Sequence, residues 1–326
     1  MKILLTAAIL ALTTTVAFAR DNIQIAGSST VLPFAVIAAE SFGENSEFIT
    51  PVVEGGGTGA GIKKFCEGAG DDTIDIVNAS RPMKDEEKAA CTAVGVTDIT
   101  EVLIGYDGIV FASDISSQPF ALTPSMIYLA IGKDAIVTSW DVINPALPAQ
   151  KISMLIPGTK HGTREVFDQK VLIQGCKDTG VYDVILSKVT DPKAAEKECA
   201  TVRTDGAVVE IDGDYTETLS RMKTDPNAVG VFGLSFYENN STVLHVATVN
   251  GVTPSVETIS NGTYPVSRPL FFYVKNAHLS AIPGLADYIN YFVSDEVAGA
   301  GGMLEEYGLV PDPELAATQE AVSKLQ

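Results

Sequence analysis

Four short polar turns in the sequence carry glycine, serine and threonine in patterns that suit anion binding. The most glycine-rich, Gly55–Gly61, follows an apolar run and precedes Ile62, Phe65 and Ala69, whose spacing predicts a helix with one apolar face. Glycines before a helix allow a tight turn and expose consecutive N–H groups, which act with the positive end of the helix dipole to attract anions. Thr58 adds a hydroxyl donor to this turn.

Other interpretations of the glycine-rich turn have to be weighed beside anion binding. The phosphate loop of nucleotide hydrolases is absent, because Ile62 stands where that motif requires lysine. The looser dinucleotide pattern is met by Gly55, Gly57 and Ala60, with Asp75 twenty residues after the first of them. A purely structural turn also fits. The turn by itself does not decide between these alternatives.

The other three turns also follow predicted strands, and the carboxyl ends of strands are where α/β sheets place ligand contacts. Hydroxyl groups, backbone N–H groups and a nearby cation would hold an oxyanion there without reacting with it. From the residues alone, two other roles stay open. The hydroxyls or His161 could cap helices, and Arg81 could be a surface charge. The candidate ligand-binding residues of the four turns are Ser29, Thr30, Thr58, Ser80, Arg81, His161, Gly162 and Thr163.

Composition narrows the class of protein. The chain has 326 residues, of which 46% are hydrophobic, and strand and helix patterns alternate along it, so we expect an α/β protein of two domains. The net charge of −19 argues against nucleic acid or an anionic membrane as a partner. It does not exclude a small anion, because a local cluster of N–H groups and cations can hold one inside an acidic protein.

The first residues have the features of an export signal. Lys2 is followed by an apolar run and then by Ala17-Phe18-Ala19, which resembles a cleavage site, so we expect residues 1–19 to be a signal peptide. No cysteine follows that site to carry a lipid anchor, and we expect the mature chain to be free in the periplasm. The sequence contains no H-E-x-x-H or G-x-S-x-G motif, so we expect no metal, no cofactor and no enzymatic activity.

The cysteines are an even set without the C-x-x-C spacing of zinc or redox sites. They allow three disulfide pairings, and four free thiols are a further alternative. We favour pairing of neighbours, Cys66 with Cys91 and Cys176 with Cys199, because each pair brackets one helical stretch.

Taken together, five motifs resemble those of the periplasmic phosphate-binding protein of the high-affinity phosphate ABC transporter. Each motif is short, but all five occur in the expected order between about residues 22 and 311. They are Gly27–Pro33, Gly57–Gly61, Asn78–Pro82, Gly162–Glu165 and Gly262–Leu270.

The resemblance implies a two-lobed periplasmic binding protein of type II-like α/β fold, in which each lobe is a mixed sheet flanked by helices. A hinge and a ligand cleft would lie between lobe one, residues 20–107 plus 264–326, and lobe two, residues 108–263. The ligand would be inorganic phosphate, bound without catalysis by hydroxyl and N–H donors of the four turns. The partners would be the permease subunits of an ABC importer, and we expect a monomer.

The sequence departs from the family pattern at three positions. Arg81 stands where the family often has an aspartate that accepts a phosphate proton, Pro157 where an arginine is usual and His161 where a serine is usual. We therefore expect the cation to come from Arg81 and from a protonated His161, with no obvious acceptor for a phosphate proton. Alternative functions are binding of another oxyanion, such as sulfate, phosphonate or arsenate, a sensor without transport, or, less in keeping with the residues, a secreted nucleotide-dependent enzyme or phosphatase.

Overall fold

The fold was obtained as a computed structural model that describes residues 20–159, 162–213 and 215–325. The predicted signal peptide and His161 lie outside these described residues. The strands are β1 (Gln24–Gly27), β2 (Val52–Glu54), β3 (Ile76–Ala79), β4 (Ile99–Asp114), β5 (Ala121–Leu122), β6 (Met154–Pro157), β7 (Val208–Ile211), β8 (Val229–Gly233), β9 (Leu244–Val246), β10 (Thr248–Val249), β11 (Ser267–Lys275) and β12 (Leu309–Val310).

Helices follow most of these strands. They are α1 (Leu32–Asn45), α2 (Thr58–Phe65), α3 (Asp85–Ala93), α4 (Pro124–Ile131), α5 (Trp140–Ile143), α6 (Gly162–Phe167), α7 (Gln174–Asp178), α8 (Val181–Val189), α9 (Pro192–Cys199), α10 (Tyr215–Met222), α11 (Leu234–Asn239), α12 (Val256–Ser260), α13 (Leu285–Phe292), α14 (Met303–Glu306) and α15 (Leu315–Val322), with a π-helix at Asp168–Ile173 and a 3₁₀ turn at Asn276–His278. In the described ranges, no helix has the length and apolar character needed to cross a membrane.

The main strands are ordered β2-β1-β3-β11-β4-β8-β6-β7. Strands β2, β1 and β3 are parallel at one end, β8, β6 and β7 are parallel at the other, and β11 and β4 are antiparallel between them. Strand β4 changes its partner along its length, since it pairs with β11 as far as Gly108 and with β8 from Ile109 onward. This arrangement of mixed sheets with helices confirms the predicted α/β fold class.

The apolar core is divided in the same way as the sheet. One cluster of buried side chains surrounds β6 and β8 and includes Trp140 and Phe232. Another lies between α1, α13 and the strands β1 and β11, and includes Phe42, Phe272 and Phe292. The two largest apolar clusters thus lie in different halves of the sheet.

Strand β4 runs without interruption through Gly105 and Gly108. Gly105 has a φ of +137°, and a Cβ at this position would lie 2.7 Å from the carbonyl oxygen of Val310. The unusual backbone at Gly105 coincides with a register shift in the pairing of β4 with β11, between Leu270 and Phe271. A glycine in a strand thus marks a close backbone approach rather than the end of the strand.

The cysteine pairing predicted from the sequence is confirmed. Cys66 is bonded to Cys91, which joins the end of α2 to α3, and Cys176 is bonded to Cys199, which joins α7 to α9. Both pairs tie together neighbouring helices that lie on the surface of the sheets.

The C-terminal segment forms helix α15, which docks on the fold. Leu315 and Val322 of α15 are buried in the core that contains Phe272, and Gln319 Nε2 donates to the carbonyl of Val293 at 2.9 Å. The segment is part of the packed fold, because an amphipathic helix with two buried side chains gains enough contact to dock.

Candidate functional site

Three of the predicted hydroxyl residues meet around one buried arginine, Arg268. Its Nη2 donates to Thr30 Oγ1, and its Nη1 lies 3.2 Å from Ser80 Oγ. Ser80 is in turn connected to Thr58, whose Oγ1 lies 3.2 Å from Ser80 Oγ and accepts the Ser80 N–H at 3.1 Å. All four side chains are buried, and Arg268 is only 5% exposed.

The parallel pairing of β1 and β3 explains why these hydroxyls converge. Gly27 at the end of β1 is the register partner of Asn78 in β3, so the residues that follow both strands leave the sheet at the same edge. Helix α2 reaches this edge because Gly61 packs directly on Gly27, where a Cβ would lie 2.4 Å from the Gly27 Cα. That close approach places Thr58, the first residue of α2, beside Ser80.

The opposite wall of the site comes from helix α6 and the π-helix after it. Glu165 Oε2 accepts from Thr30 Oγ1 at 3.1 Å, and its Oε1 lies 3.8 Å from Arg268 Nη1. Gln169 connects the same two groups, since its Nε2 donates to Glu165 Oε1 at 3.2 Å and its Oε1 accepts from Arg268 Nη1 at 3.4 Å. A π-helix of this kind often occurs at functional sites, because it re-aims side chains that a regular helix would direct elsewhere. The site therefore lies between the two halves of the fold.

A second carboxylate, Asp107, faces the site from the strand that connects the two halves. Asp107 in β4 is the register partner of Arg268 in β11. It is buried, and its Oδ2 has no hydrogen-bond partner among the residues that the structure describes. Burial raises the pKa of Asp107 to about 6, against the opposing effect of the Arg268 charge and with a further increase from Glu165. The side chain can thus accept a proton at only mildly acidic pH.

The charge of Arg268 is affected by the same surroundings. Burial lowers the pKa of Arg268, while the neighbouring carboxylates Asp107 and Glu165 raise it. A guanidinium keeps its proton under all such conditions, so Arg268 is a permanent cation. A permanent buried cation among hydroxyls is a binding site for an oxyanion, and the two carboxylates would accept hydrogen bonds from an anion that still carries a proton.

Arg81, predicted as a ligand cation, does not join this cluster. Its guanidinium pairs with both carboxylate oxygens of Glu87, at 2.8 and 2.7 Å, and also donates to the carbonyl of Pro82. The hydrogen bond from Arg81 lowers the pKa of Glu87. The sequence already contained the reason that Arg81 lies away from the cluster. Glu87 is in the first turn of α3, only six residues after Arg81, and is close enough to pair with it.

Two further predicted residues, Ser29 and Thr163, lie at the border of the cluster. Ser29 is exposed and, together with Thr163, lines a cavity that Thr30 also lines. Gly162 is the first residue of α6. His161 lies outside the described residues, so its proposed role as a cation stays a prediction.

Sequence reasoning missed Arg268, Glu165, Gln169 and Asp107. Arg268 stands inside a motif that the family resemblance used, and Asp107 stands at the predicted crossing between lobes, but neither follows a glycine-rich turn. The signal that could have found Arg268 is a cation directly before the apolar run Pro269–Val274, because a buried arginine requires partners.

The structure also bears on the dinucleotide alternative. Asp75, which that pattern would place on a ribose, is fully buried in the half of the fold that contains β1. Its carboxylate accepts from Arg20 Nη2 at 2.5 Å and from the backbone N–H of Gln24 at 2.7 Å, and lies 2.6 Å from His278 Nδ1. These contacts give Asp75 a structural role and leave the dinucleotide pattern without its acidic residue.

Comparison with known proteins places the chain in a family. Residues 12–296 match the model described as the PBP superfamily domain, and the chain belongs to that superfamily. It is 32% identical over 300 residues to protein SphX of Synechococcus elongatus, covering 90% of this chain and 78% of the relative. It is 28% identical over 303 residues to the phosphate-binding protein PstS of Staphylococcus saprophyticus, covering 90% and 81%. The family consists of substrate-binding receptors, which confirms the expectation of a binding protein rather than an enzyme.

Solved structures show the same fold. A possible phosphate binding protein from Planctomyces limnophilus DSM 3776 superposes with a TM-score of 0.71 at 23% identity, covering 93% of this chain and 98% of that chain. An ABC-type phosphate transport receptor from Vibrio cholerae superposes with a TM-score of 0.58 at 19% identity, covering 88% and 99%. These likenesses establish the two-lobed periplasmic binding fold that the motifs predicted.

Proposed function

We propose that this protein is an extracytoplasmic receptor that binds inorganic phosphate between its two lobes and delivers it to an ABC importer. The observation that carries the proposal is the buried Arg268, which is held by hydroxyls from separate turns and faced by two carboxylates. The names of the relatives, which include a phosphate-binding protein, support the choice of ligand.

In this proposal Arg268 supplies the charge, and Thr30, Thr58 and Ser80 donate from their hydroxyls. Ser29, Gly162 and Thr163 complete the donor set from the cleft border, as the family resemblance implies. We leave Arg81 out of the ligand set, because its hydrogen bonds to Glu87 already satisfy the guanidinium. Charge-assisted hydrogen bonds from a buried guanidinium are about twice as strong as neutral ones, so Arg268 should dominate the affinity.

Two carboxylates in an anion site favour phosphate over sulfate. Phosphate keeps at least one proton at neutral pH and can donate it to Asp107 or Glu165, whereas sulfate has no proton and would face two like charges. Without such a donor, the buried oxygen of Asp107 would stay unsatisfied at a cost of about 1–3 kcal/mol. In this proposal Asp107 and Glu165 supply the proton acceptor. The family often has an aspartate for this role at the position of Arg81.

The division into lobes is part of the proposal. We place lobe one at residues 20–107 plus 264–326 and lobe two at 108–263, with the hinge in β4 and β11. The change of partner of β4 between Gly108 and Ile109 and the presence of separate apolar cores support this division. The two disulfides support an oxidising compartment, which is consistent with the periplasm. The permease subunits of the importer are the proposed protein partner.

Titration calorimetry on the purified protein tests the proposal, with Arg268→Met as the key variant and Arg81→Met as its matched control. We expect the wild type to bind phosphate and not sulfate. Truncating one partner of a buried charge pair costs about 2–5 kcal/mol, so Arg268→Met should lose at least thirtyfold in phosphate affinity. Arg81→Met should stay within about threefold of the wild type, since the Arg81 guanidinium pairs with Glu87 outside the hydroxyl cluster. Equal effects of the two substitutions, with thermal unfolding unchanged in both, would refute the assigned site.

A further inference from the structure

The cleft contains more space than an inorganic oxyanion requires. A cavity of about 640 Å³ opens beside the anion site and shares Thr30 and Asp107 with it. Pockets that hold organic ligands of drug size have volumes of about 300–1,000 Å³. A phosphate ion has only five heavy atoms, so most of this cavity would remain outside its contact.

The cavity has a polar end and an apolar end. The polar end is formed by Ser29, Thr163 and Tyr215 near the anion site. Away from it, the wall consists of apolar side chains from the first two turns of α1, with Tyr307 from the C-terminal segment. These apolar lining residues are Leu32, Pro33, Phe34, Val36, Ile37 and Tyr307, and Glu306 and Gly308 line the cavity beside Tyr307.

Only part of the apolar end is explained by the packing of the fold. Helix α1 buries Phe34, Ala35, Ala38, Ala39 and Phe42 against the core, and of the lining residues Phe34 belongs to that core and Ile37 packs against it. Val36 does not belong to that core and lines the cavity, and Tyr307 is 59% exposed. An apolar wall beside a charged site, rimmed by polar groups, marks a surface that a ligand covers.

We propose that the protein binds phosphonates that carry a short apolar substituent, in addition to inorganic phosphate. This inference rests on the proposed function, because the phosphonate head group occupies the same site at Arg268, Thr30 and Ser80. The organic group lies in the cavity along α1, between Val36 and Tyr307. A phosphonate monoanion keeps one proton, which it donates to Asp107 at the junction of the two spaces. Aliphatic chains fit the α1 side of this wall better than polar ones, because Leu32, Val36 and Ile37 offer no hydrogen bonds.

A homologous series gives a sharp test. Calorimetry on the full protein would compare inorganic phosphate with methyl-, ethyl-, propyl- and butylphosphonate. Burial of each added methylene group should tighten binding about fourfold if the chain lies on the apolar wall. The variant Val36→Asn makes this wall polar and should flatten the increase along the series relative to phosphate. Val142→Asn is the matched control, because Val142 is 68% exposed on α5 outside the cavity, and it should leave the increase intact.

The outcomes separate this inference from the proposed function. An affinity that rises with chain length in the wild type and in Val142→Asn, but not in Val36→Asn, supports the inference. Phosphate binding together with affinity that falls at each added carbon overturns it and leaves the phosphate receptor intact. An increase that persists unchanged in Val36→Asn also overturns it. Binding of the phosphonates without binding of phosphate would support this ligand class and refute the phosphate receptor, and binding of none would refute both.

Discussion

Replacing Asp107 with asparagine should change the pH dependence of folding in a specific direction. The wild-type carboxyl has a pKa of about 6 in the folded protein, raised by burial from the ordinary 3.8. The folded state therefore binds this proton more tightly than the unfolded state. As pH rises through the interval between these two values, the wild type loses stability, because the unfolded state releases the proton first. Asparagine does not ionise, so the variant lacks this loss.

The size of the effect follows from the two pKa values. They differ by about 2 units, and each unit corresponds to about 1.36 kcal/mol, so the wild type should lose about 3 kcal/mol of folding free energy. The variant should therefore gain about 3 kcal/mol over the wild type as pH rises from about 4 to about 7. At the acidic end the two proteins differ only by constant contributions, such as altered packing and altered contact with Arg268.

Urea denaturation of the unliganded proteins between about pH 4 and about pH 7 would measure this difference. Taking the difference between variant and wild type removes the titration of all other groups. Asp71→Asn is a suitable control, because it deletes an exposed carboxylate and the same unit of charge. A stability difference for Asp107→Asn that stays constant across the pH range, or that parallels Asp71→Asn, would refute the assignment of a strained buried carboxylate to Asp107.

Further predictions concern selectivity and stability. Asp107→Asn should also reduce the preference for phosphate over sulfate about tenfold or more in competition dialysis, since removal of a like charge favours sulfate; an unchanged ratio would show that Asp107 does not discriminate. Asp75→Asn should lower the free energy of unfolding by about 3–5 kcal/mol in urea titrations, because it removes the buried carboxylate that pairs with Arg20 and hydrogen-bonds His278, and a loss below 1 kcal/mol would contradict the buried pair. Joint replacement of Cys176 and Cys199 by serine should cost about 2–4 kcal/mol, measured by thermal unfolding, and an unchanged midpoint would contradict a stabilising bridge.

Much of the architecture could be predicted because its signals are local. Glycines with hydroxyl residues at strand ends indicated where helices begin, and α2 does begin at Thr58. The neighbouring cysteines indicated local disulfides, since loop closure over 25 and 23 residues joins adjacent helices. The role of Gly105 could not be predicted, because whether a glycine ends a strand or accommodates a neighbour depends on what packs against it.

The site residues also fall into two groups, those indicated by local sequence patterns and those brought into the site by contacts between distant parts of the chain. By itself, the sequence indicated the class of binding protein and the hydroxyl residues Thr30, Thr58 and Ser80 that meet around Arg268, since small polar residues after strands are a pattern of a few residues. Only the tertiary structure decided which cation faces them. Arg81 and Arg268 are both adjacent to turn motifs. Arg81 pairs with Glu87, whereas the pairing of β11 with β4 places Arg268 in the cleft. Electrostatic partners are chosen by distance in space, and 188 residues separate Ser80 from the arginine that it contacts.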